Sequence, residues 1–177
     1  MELRHVVAAT DQSEAGHHAV LVAARLAGHA GARLTVLSVR PVSPAGAAPQ
    51  RAVSDSERQT LLRDLSQRLE ADLRRQAPGV SPSFTVLSGV PGIEIPRYAE
   101  EHAGDLLVLG RKQRTQRQRM FLGDTADAVA RRSQVPCLFV GVDCDGFGPM
   151  LVCLDSTERS VQVFQAASDF ARSTGTK

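Results

Sequence analysis

The chain has 177 residues, of which 42% are hydrophobic and 23% charged, with a formal net charge of +2. That is enough chain for one good core with a little left over, and it excludes a disordered chain and a strongly basic nucleic-acid binder. No apolar run approaches the roughly 20 residues that cross a bilayer, and the N-terminus MELRHVVAATD lacks a signal-peptide pattern, so a cytoplasmic protein without membrane contact is expected. Cys137, Cys144 and Cys153 are odd in number and lack paired-ligand spacing. They read as reduced thiols, two of them inside strands, rather than as a metal site.

In chain order, residues 6–10 form a short apolar run bounded by Asp11, which suits a buried parallel strand. From Ala15 onward Ala19, Val20, Ala23, Leu26 and Ala27 recur at helical spacing until Gly31 ends the pattern. Residues 34–39 read as strand two, and residues 41–52, with three prolines and no periodicity, as a loop. Ser54 or Asp55 can cap a long helix carrying Leu61, Leu62, Leu65, Leu69 and Leu73, which Pro78 and Gly79 stop. Residues 84–87 are strand three. Gly89, Val90 and Pro91 turn into a helix with Ile95, Tyr98 and Ala99, in which Pro96 is expected only in the first turn. Residues 106–109 are strand four, residues 125–132 a helix, and Pro136 introduces strand five, CLFVGV. Five strands alternating with four helices predict an α/β fold: an open, doubly wound parallel sheet with helices on both faces.

Between strand four and the following helix lies the stretch from Gly110 to Thr125. A polar loop there carries Arg111, Lys112, Arg114, Arg117 and Arg119, and Gly123 precedes the helix. Ligands in open α/β sheets sit at the carboxyl ends of strands, and a helix start offers unpaired N–H groups, so an anion such as phosphate is expected here. The basic run also reads as a solvated loop, and a nucleic-acid role is not favoured because no aromatic side chain accompanies it. His17 and His18 are adjacent on one helix and point in different directions, so they do not make a metal site. No nucleophile, base and orienting group fall into a recognisable pattern, so no catalyst is expected.

Gly110, two residues, Gln113, nine residues, Gly123 and Asp124 resemble the nucleotide-binding pattern Gly-x2-Gly-x9-Gly-(Ser/Thr) of the universal stress protein family. Gln113 stands where the family has its second glycine, and Asp124 where it has a phosphate-binding hydroxyl. Asp11 followed by Gln12 and Ser13, the turn Gly89-x-Pro91, and DLLVLG before the loop are similar to the family as well. The resemblance implies a Rossmann-like fold of the adenine nucleotide alpha hydrolase type. It also implies a cleft for ATP or another adenine nucleotide with Mg²⁺, with the base near Asp11 and Val39 and the phosphates over Gly110, Lys112, Gln113, Gly123, Asp124 and Thr125. Asp11 reads equally as a helix N-cap, and Val39 as a core valine. Asp124, an acceptor that repels phosphate, reads as an N-cap that fills the helix start with its own carboxylate.

After Gly148 the chain resembles its own beginning. Asp155 aligns with Asp11, Glu158 with Glu14, Ala167 with Ala23, Ala171 with Ala27 and Gly175 with Gly31, all 144 residues apart. The chain is thus expected to hold a universal stress protein domain at 1–145 and, at 149–177, a second repeat reduced to its first strand and helix. Such a unit cannot bury both faces alone, and docking in a homodimer through strand five or the partial repeat is expected. The expected function is a non-catalytic regulatory or protective stress-response module with a degraded nucleotide cleft. The alternatives are a competent ATP-binding member with slow hydrolysis and a purely structural interaction domain with an empty cleft.

Overall fold

The computed structural model describes residues 2–41, 54–111, 123–144 and 146–175. Its sheet holds β1 (His5–Ala9), β2 (Arg33–Pro41), β3 (Ser83–Gly89), β4 (Leu106–Gly110) and β5 (Cys137–Val140), in the order β3-β2-β1-β4-β5. Every pairing is parallel. The helices are α1 (Glu14–Ala30), α2 (Asp55–Gln76), α3 (Pro91–Glu101), α4 (Asp124–Arg132) and α5 (Arg159–Thr174). The expected doubly wound α/β fold is the one observed.

A strand buried on both faces has no polar side to show, which is why the central strands read as continuous apolar runs. Successive side chains of such a strand then feed two cores. Val6 and Ala8 of β1, with Leu106 and Val108 of β4, meet α1 and the leucines Leu65, Leu69 and Leu73 of α2. Val7, Ala9, Leu107 and Leu109 meet Ile95 and Ala99 of α3 and Val129 of α4 on the other face. Helices therefore cover both faces, and the order reverses between β1 and β4.

Helix ends follow their capping chemistry. Ser54 caps α2 in a capping box with Glu57, and Gly31 closes α1 in the left-handed conformation at φ 64°. Helix α3 departs from expectation. Pro91 takes its first position, so Pro96 lies in the second turn rather than the first. A proline at N1 is preorganised for a helix, and this early start leaves Pro96 inside, one intrahelical hydrogen bond short. Gly92 lets α3 lie close on α4, since a Cβ there would stand 2.5 Å from that of Ala128.

The C-terminal segment differs more. Helix α5 forms, but residues 149–155 are not a strand, because a strand exists only when a neighbour takes up its backbone hydrogen bonds. Of the two cysteines expected in strands, only Cys137 lies in one. Phe170 of α5 meets Phe147 edge to face at 5.2 Å, and both pack against the core cluster on the α1 face. His18 Nε2 lies 2.8 Å from the Cys144 carbonyl, while His17 Nε2 lies 3.0 Å from Asp72 of α2. The two imidazoles thus hold different elements. Among the described residues no group of three or more His, Cys, Asp or Glu could hold a metal, and no helix is long and apolar enough to cross a membrane.

Two predictions follow from these contacts. A Cβ on Gly110 would stand 2.3 Å from the Ala15 carbonyl oxygen and 2.7 Å from the Gly16 amide, both backbone atoms that cannot swing aside. Gly110→Ala is expected to cost about 1–3 kcal/mol, read as a lower urea midpoint, whereas Gly148→Ala, with nothing within 4 Å, leaves the midpoint in place. At the start of α5 the Thr157 hydroxyl, then the Ser160 hydroxyl, hold the exposed Asp155 carboxyl down to about 2. A depressed carboxylate favours the folded turn above its ordinary value, and that preference is lost as pH falls through that value towards about 2. Amide exchange at Thr157 should accelerate, relative to the intrinsic rate, over that acid range alone.

Candidate functional site

In a parallel sheet wound in both directions, the loops leaving the two strands at the reversal point part to opposite faces and open a crevice. Here the crevice lies beyond the carboxyl ends of β1 and β4. A cavity of about 510 Å³ occupies it, lined by Asp11, Val39, Gly110, Gly123, Asp124 and Thr125 among others. That volume lies within the range of small-molecule sites. Six of the eight expected positions thus meet around one space. The other two, Lys112 and Gln113, lie outside the described residues, as do Arg114, Arg117, Arg119 and most of the loop expected at 41–52.

The first wall is the turn after β1. Thr10 is buried, its amide donating to the Leu37 carbonyl at 2.9 Å, and its hydroxyl accepts from the Gln12 amide at 3.0 Å. Gln12 takes a left-handed φ of 62°, which reverses the chain in time for α1 to start at Glu14. The N-cap of α1 is Ser13, whose side chain accepts from the Gly16 amide. Asp11 is therefore not the cap, because the chain turns two residues further on. Its Oδ1 instead accepts from the Ser13 amide at 3.0 Å and from the Ser13 hydroxyl. The carboxylate is fixed in orientation at the cavity mouth by the residue that caps the helix.

The apolar walls come from strand ends and two helices. Val39 of β2 is half-buried against the α3-side core and also faces the cavity, so core and wall are one role. Val86, Ile95 and Leu109 continue that wall, and Leu61 of α2 closes it. Of these, Leu61 had appeared in the sequence only as part of a helical stripe. Arg40, next after Val39, also lines the cavity and was missed. Its signal was its place at the carboxyl end of a strand beside the reversal point, where even a solvent-facing side chain reaches the crevice.

The third wall is the start of α4. Gly123 is the N-cap, at φ 94° and ψ 151°, and no described side chain caps this end. Asp124 is the first helical residue, exposed, not the cap. The expectation of an Asp124 N-cap fails because the helix starts one residue earlier than that reading requires: Gly123 takes the cap position, and Asp124 lies in the first turn without making a capping hydrogen bond. Among the described residues no side chain caps the start of α4, and Gly123, Asp124 and Thr125 there line the cavity. Among the described residues the charged cavity-lining side chains are Asp11, Arg40 and Asp124. Arg111 does not line it; its guanidinium lies near Gly141, beyond β5.

Comparison with known proteins places these features in a family. The chain is 29% identical over 139 residues to a universal stress protein of Methanocaldococcus jannaschii, an alignment covering 77% of this chain and 81% of that one. Among solved structures it superposes on a universal stress protein in complex with cAMP, with a TM-score of 0.57 and 23% identity, covering 81% of this chain and all of the other. It also superposes on a universal stress protein of Archaeoglobus fulgidus in complex with dAMP, with a TM-score of 0.55 and 19% identity over 78% and 98% of the two chains. Those two establish likeness of fold. The model of the universal stress protein family matches residues 2–141, from before β1 to just past β5, and the chain belongs to that family.

Proposed function

We propose that this chain is a non-catalytic regulatory or protective module of the stress response, working in the cytoplasm, whose cleft takes an adenine nucleotide and holds its phosphates weakly. The observation that carries this reading is the single cavity running from Asp11 and Val39 to Gly110 and the start of α4. It has the two kinds of wall that a nucleotide needs. A base would lie against Val39 and donate to Asp11, whose orientation Ser13 secures. Phosphates would lie over Gly110, whose missing Cβ brings the backbone close, and over the amides of Gly123, Asp124 and Thr125, with Lys112 and Gln113 following in sequence. Relatives of the same fold solved with cAMP and dAMP support adenine as the base.

The Asp124 carboxylate opposes this arrangement. At about 4 Å, two like charges repel by about 1 kcal/mol in water and about 4 kcal/mol near a protein surface. Because Asp124 is exposed, the lower end applies, a loss of about fivefold for each nearby phosphate charge. The repulsion grows with the number of phosphates, so AMP is expected to bind more tightly than ATP. A second reading, a competent ATP-binding member that brings Mg²⁺ with its nucleotide, is favoured by the start of α4, which no described side chain caps, and by the basic residues of the loop.

Calorimetric titration of AMP, cAMP and ATP with Mg²⁺, into the parent and into an Asp124→Ser, Gln113→Gly variant, separates these readings. The expected result is parent binding in the order AMP above ATP, with ATP affinity rising about 10- to 100-fold in the variant and no phosphate released by either. Micromolar ATP binding by the parent, equal to that of the variant, would replace the weak-phosphate reading with the second one. Heat from neither protein with any nucleotide would leave an interaction domain with an empty cleft.

A further inference from the structure

Arg40 is the one cation among the described side chains that line the cavity, and its place there follows from the length of β2. The pairing of β1 with β2 ends at Ala9 opposite Leu37, whereas β2 stays paired with β3 as far as Pro41 opposite Gly89. By then the chain of β1 has turned away into α1, so residues 38–41 form one bank of the crevice. Ala9 is also level with Leu109 of β4. Arg40 therefore stands two residues above the level of Gly110, about 7 Å further out along the strand direction.

Side chains alternate along β2. Val36 packs in the core beneath α1 and α2, and Leu37 in the core beneath α3 and α4, so Ser38 and Arg40 project on the α2 side and Val39 on the α3 side. Val86, level with Ser38, and Leu61 of α2 bound the cavity on that side. A guanidinium and a hydroxyl two residues apart on one face, beside two apolar side chains, make a donor pair suited to a phosphate. Arg40 is exposed and has no hydrogen-bond or ion-pair partner among the described residues, so its donors are available to a ligand. Helix α4 belongs to the other face, where Val129 packs. Asp124 and Arg40 thus mark opposite sides of the cavity with opposite charge. A nucleotide whose phosphate chain lengthens over the start of α4 brings more negative charge to Asp124. One whose second phosphate is placed elsewhere on the ribose can bring it to Arg40 instead. In doubly wound sheets that bind dinucleotides the same choice is made by one side chain, an acid receiving the ribose 2′-hydroxyl or an arginine receiving a 2′-phosphate.

We infer that the cleft selects an adenine nucleotide carrying a second phosphate on its ribose, at the 2′ or 3′ position, and that Arg40 with Ser38 holds that phosphate. This rests on the nucleotide reading of the cleft and narrows it to a class of ligand. The 5′-phosphate keeps its place over Gly110 and the start of α4. The second phosphate gains a charge-assisted, two-pronged contact that AMP cannot make.

Calorimetric titration of AMP, ADP, adenosine 2′,5′-bisphosphate and adenosine 3′,5′-bisphosphate into the full chain and into Arg40→Gln tests it. Arg40 is exposed, so the variant should keep the parent's circular dichroism and melting profile. In the parent one of the bisphosphates should bind at least about tenfold more tightly than AMP, and the isomer that does so identifies the ribose position. ADP, with both phosphates in one chain, should show no such gain. In Arg40→Gln the ratio of bisphosphate to AMP affinity should fall to about one. If AMP binds but neither bisphosphate exceeds it, the inference is overturned while the nucleotide reading stands. An advantage that survives in Arg40→Gln overturns it too, as does ADP binding as tightly as the better bisphosphate, since charge without position would then set the affinity. Heat from none of the four nucleotides removes the nucleotide reading and this inference with it.

Discussion

The structure depends on how closely the end of β4 approaches the start of α1. Gly110 lies against the Ala15 carbonyl and the Gly16 amide at distances no Cβ would tolerate, and Gly16 in turn lies against Asp11 and Thr10, where a Cβ would stand 2.8 Å from Asp11 Oδ1 and Thr10 Oγ1. Two glycines on neighbouring elements thus let the first turn of α1 settle directly over the carboxyl ends of two central strands. The crevice at the reversal point is narrow enough to be a site because of this approach. A bulkier pair would push α1 outward, parting Asp11 from the start of α4 and turning one cavity into two shallow surfaces.

That constraint explains why two of the candidate residues have double roles. Asp11 is oriented by Ser13, and Ser13 caps α1, so the acceptor at the cavity mouth is held by the same side chain that starts the helix. Val39 is half-buried in one core and forms the cavity wall. Functional and structural roles coincide at such positions because a parallel sheet ends all its strands at the same level. The last side chain of each strand is both the top of the core and the floor of the crevice.

Residues 6–10 and 106–109 could be read as strands from their apolar runs because both faces of a central parallel strand are buried. Gly31 and Ser54 could be read as helix ends because caps are local chemistry. The N-cap readings of Asp11 and Asp124 fail for one cause. A capping residue type was visible, but the position of the helix was offset by one or more residues, and capping geometry does not tolerate a shift of one. Asp and Ser both suit an N-cap, so Asp11-Gln12-Ser13 offers two candidates. Only the left-handed turn at Gln12 decides between them. At Gly123 the decision went to a residue with no side chain at all, since a φ of 94° suits glycine and not aspartate. Arg40 escaped notice because its relevance comes from the order of strands in the sheet, which periodicity along one strand does not reveal.

The C-terminal unit separates what local sequence encodes from what it does not. Asp155 with Thr157 reproduces the Asp11–Ser13 turn, and Gly175 after Thr174 the stop of α1, because each needs only residues within a few positions of itself; the side-chain cap of α1 is not repeated, since α5 starts after Glu158 without one. The apolar run at 150–154 is as strand-like in type as residues 6–10, yet it forms no strand. The difference is the neighbour. In β1 the four residues from Val6 to Ala9 have a parallel partner on both sides, Ala8 between Val36 and Val108 for instance, and the ladder and two cores offset the entropy of extending the chain. At 150–154 the same residue types have no ladder, and extension alone leaves backbone groups to water and apolar side chains exposed. Strand propensity is a statement about surroundings more than about backbone preference. An unpaired copy of a core strand is therefore the part of a repeat whose structure must come from outside the repeat.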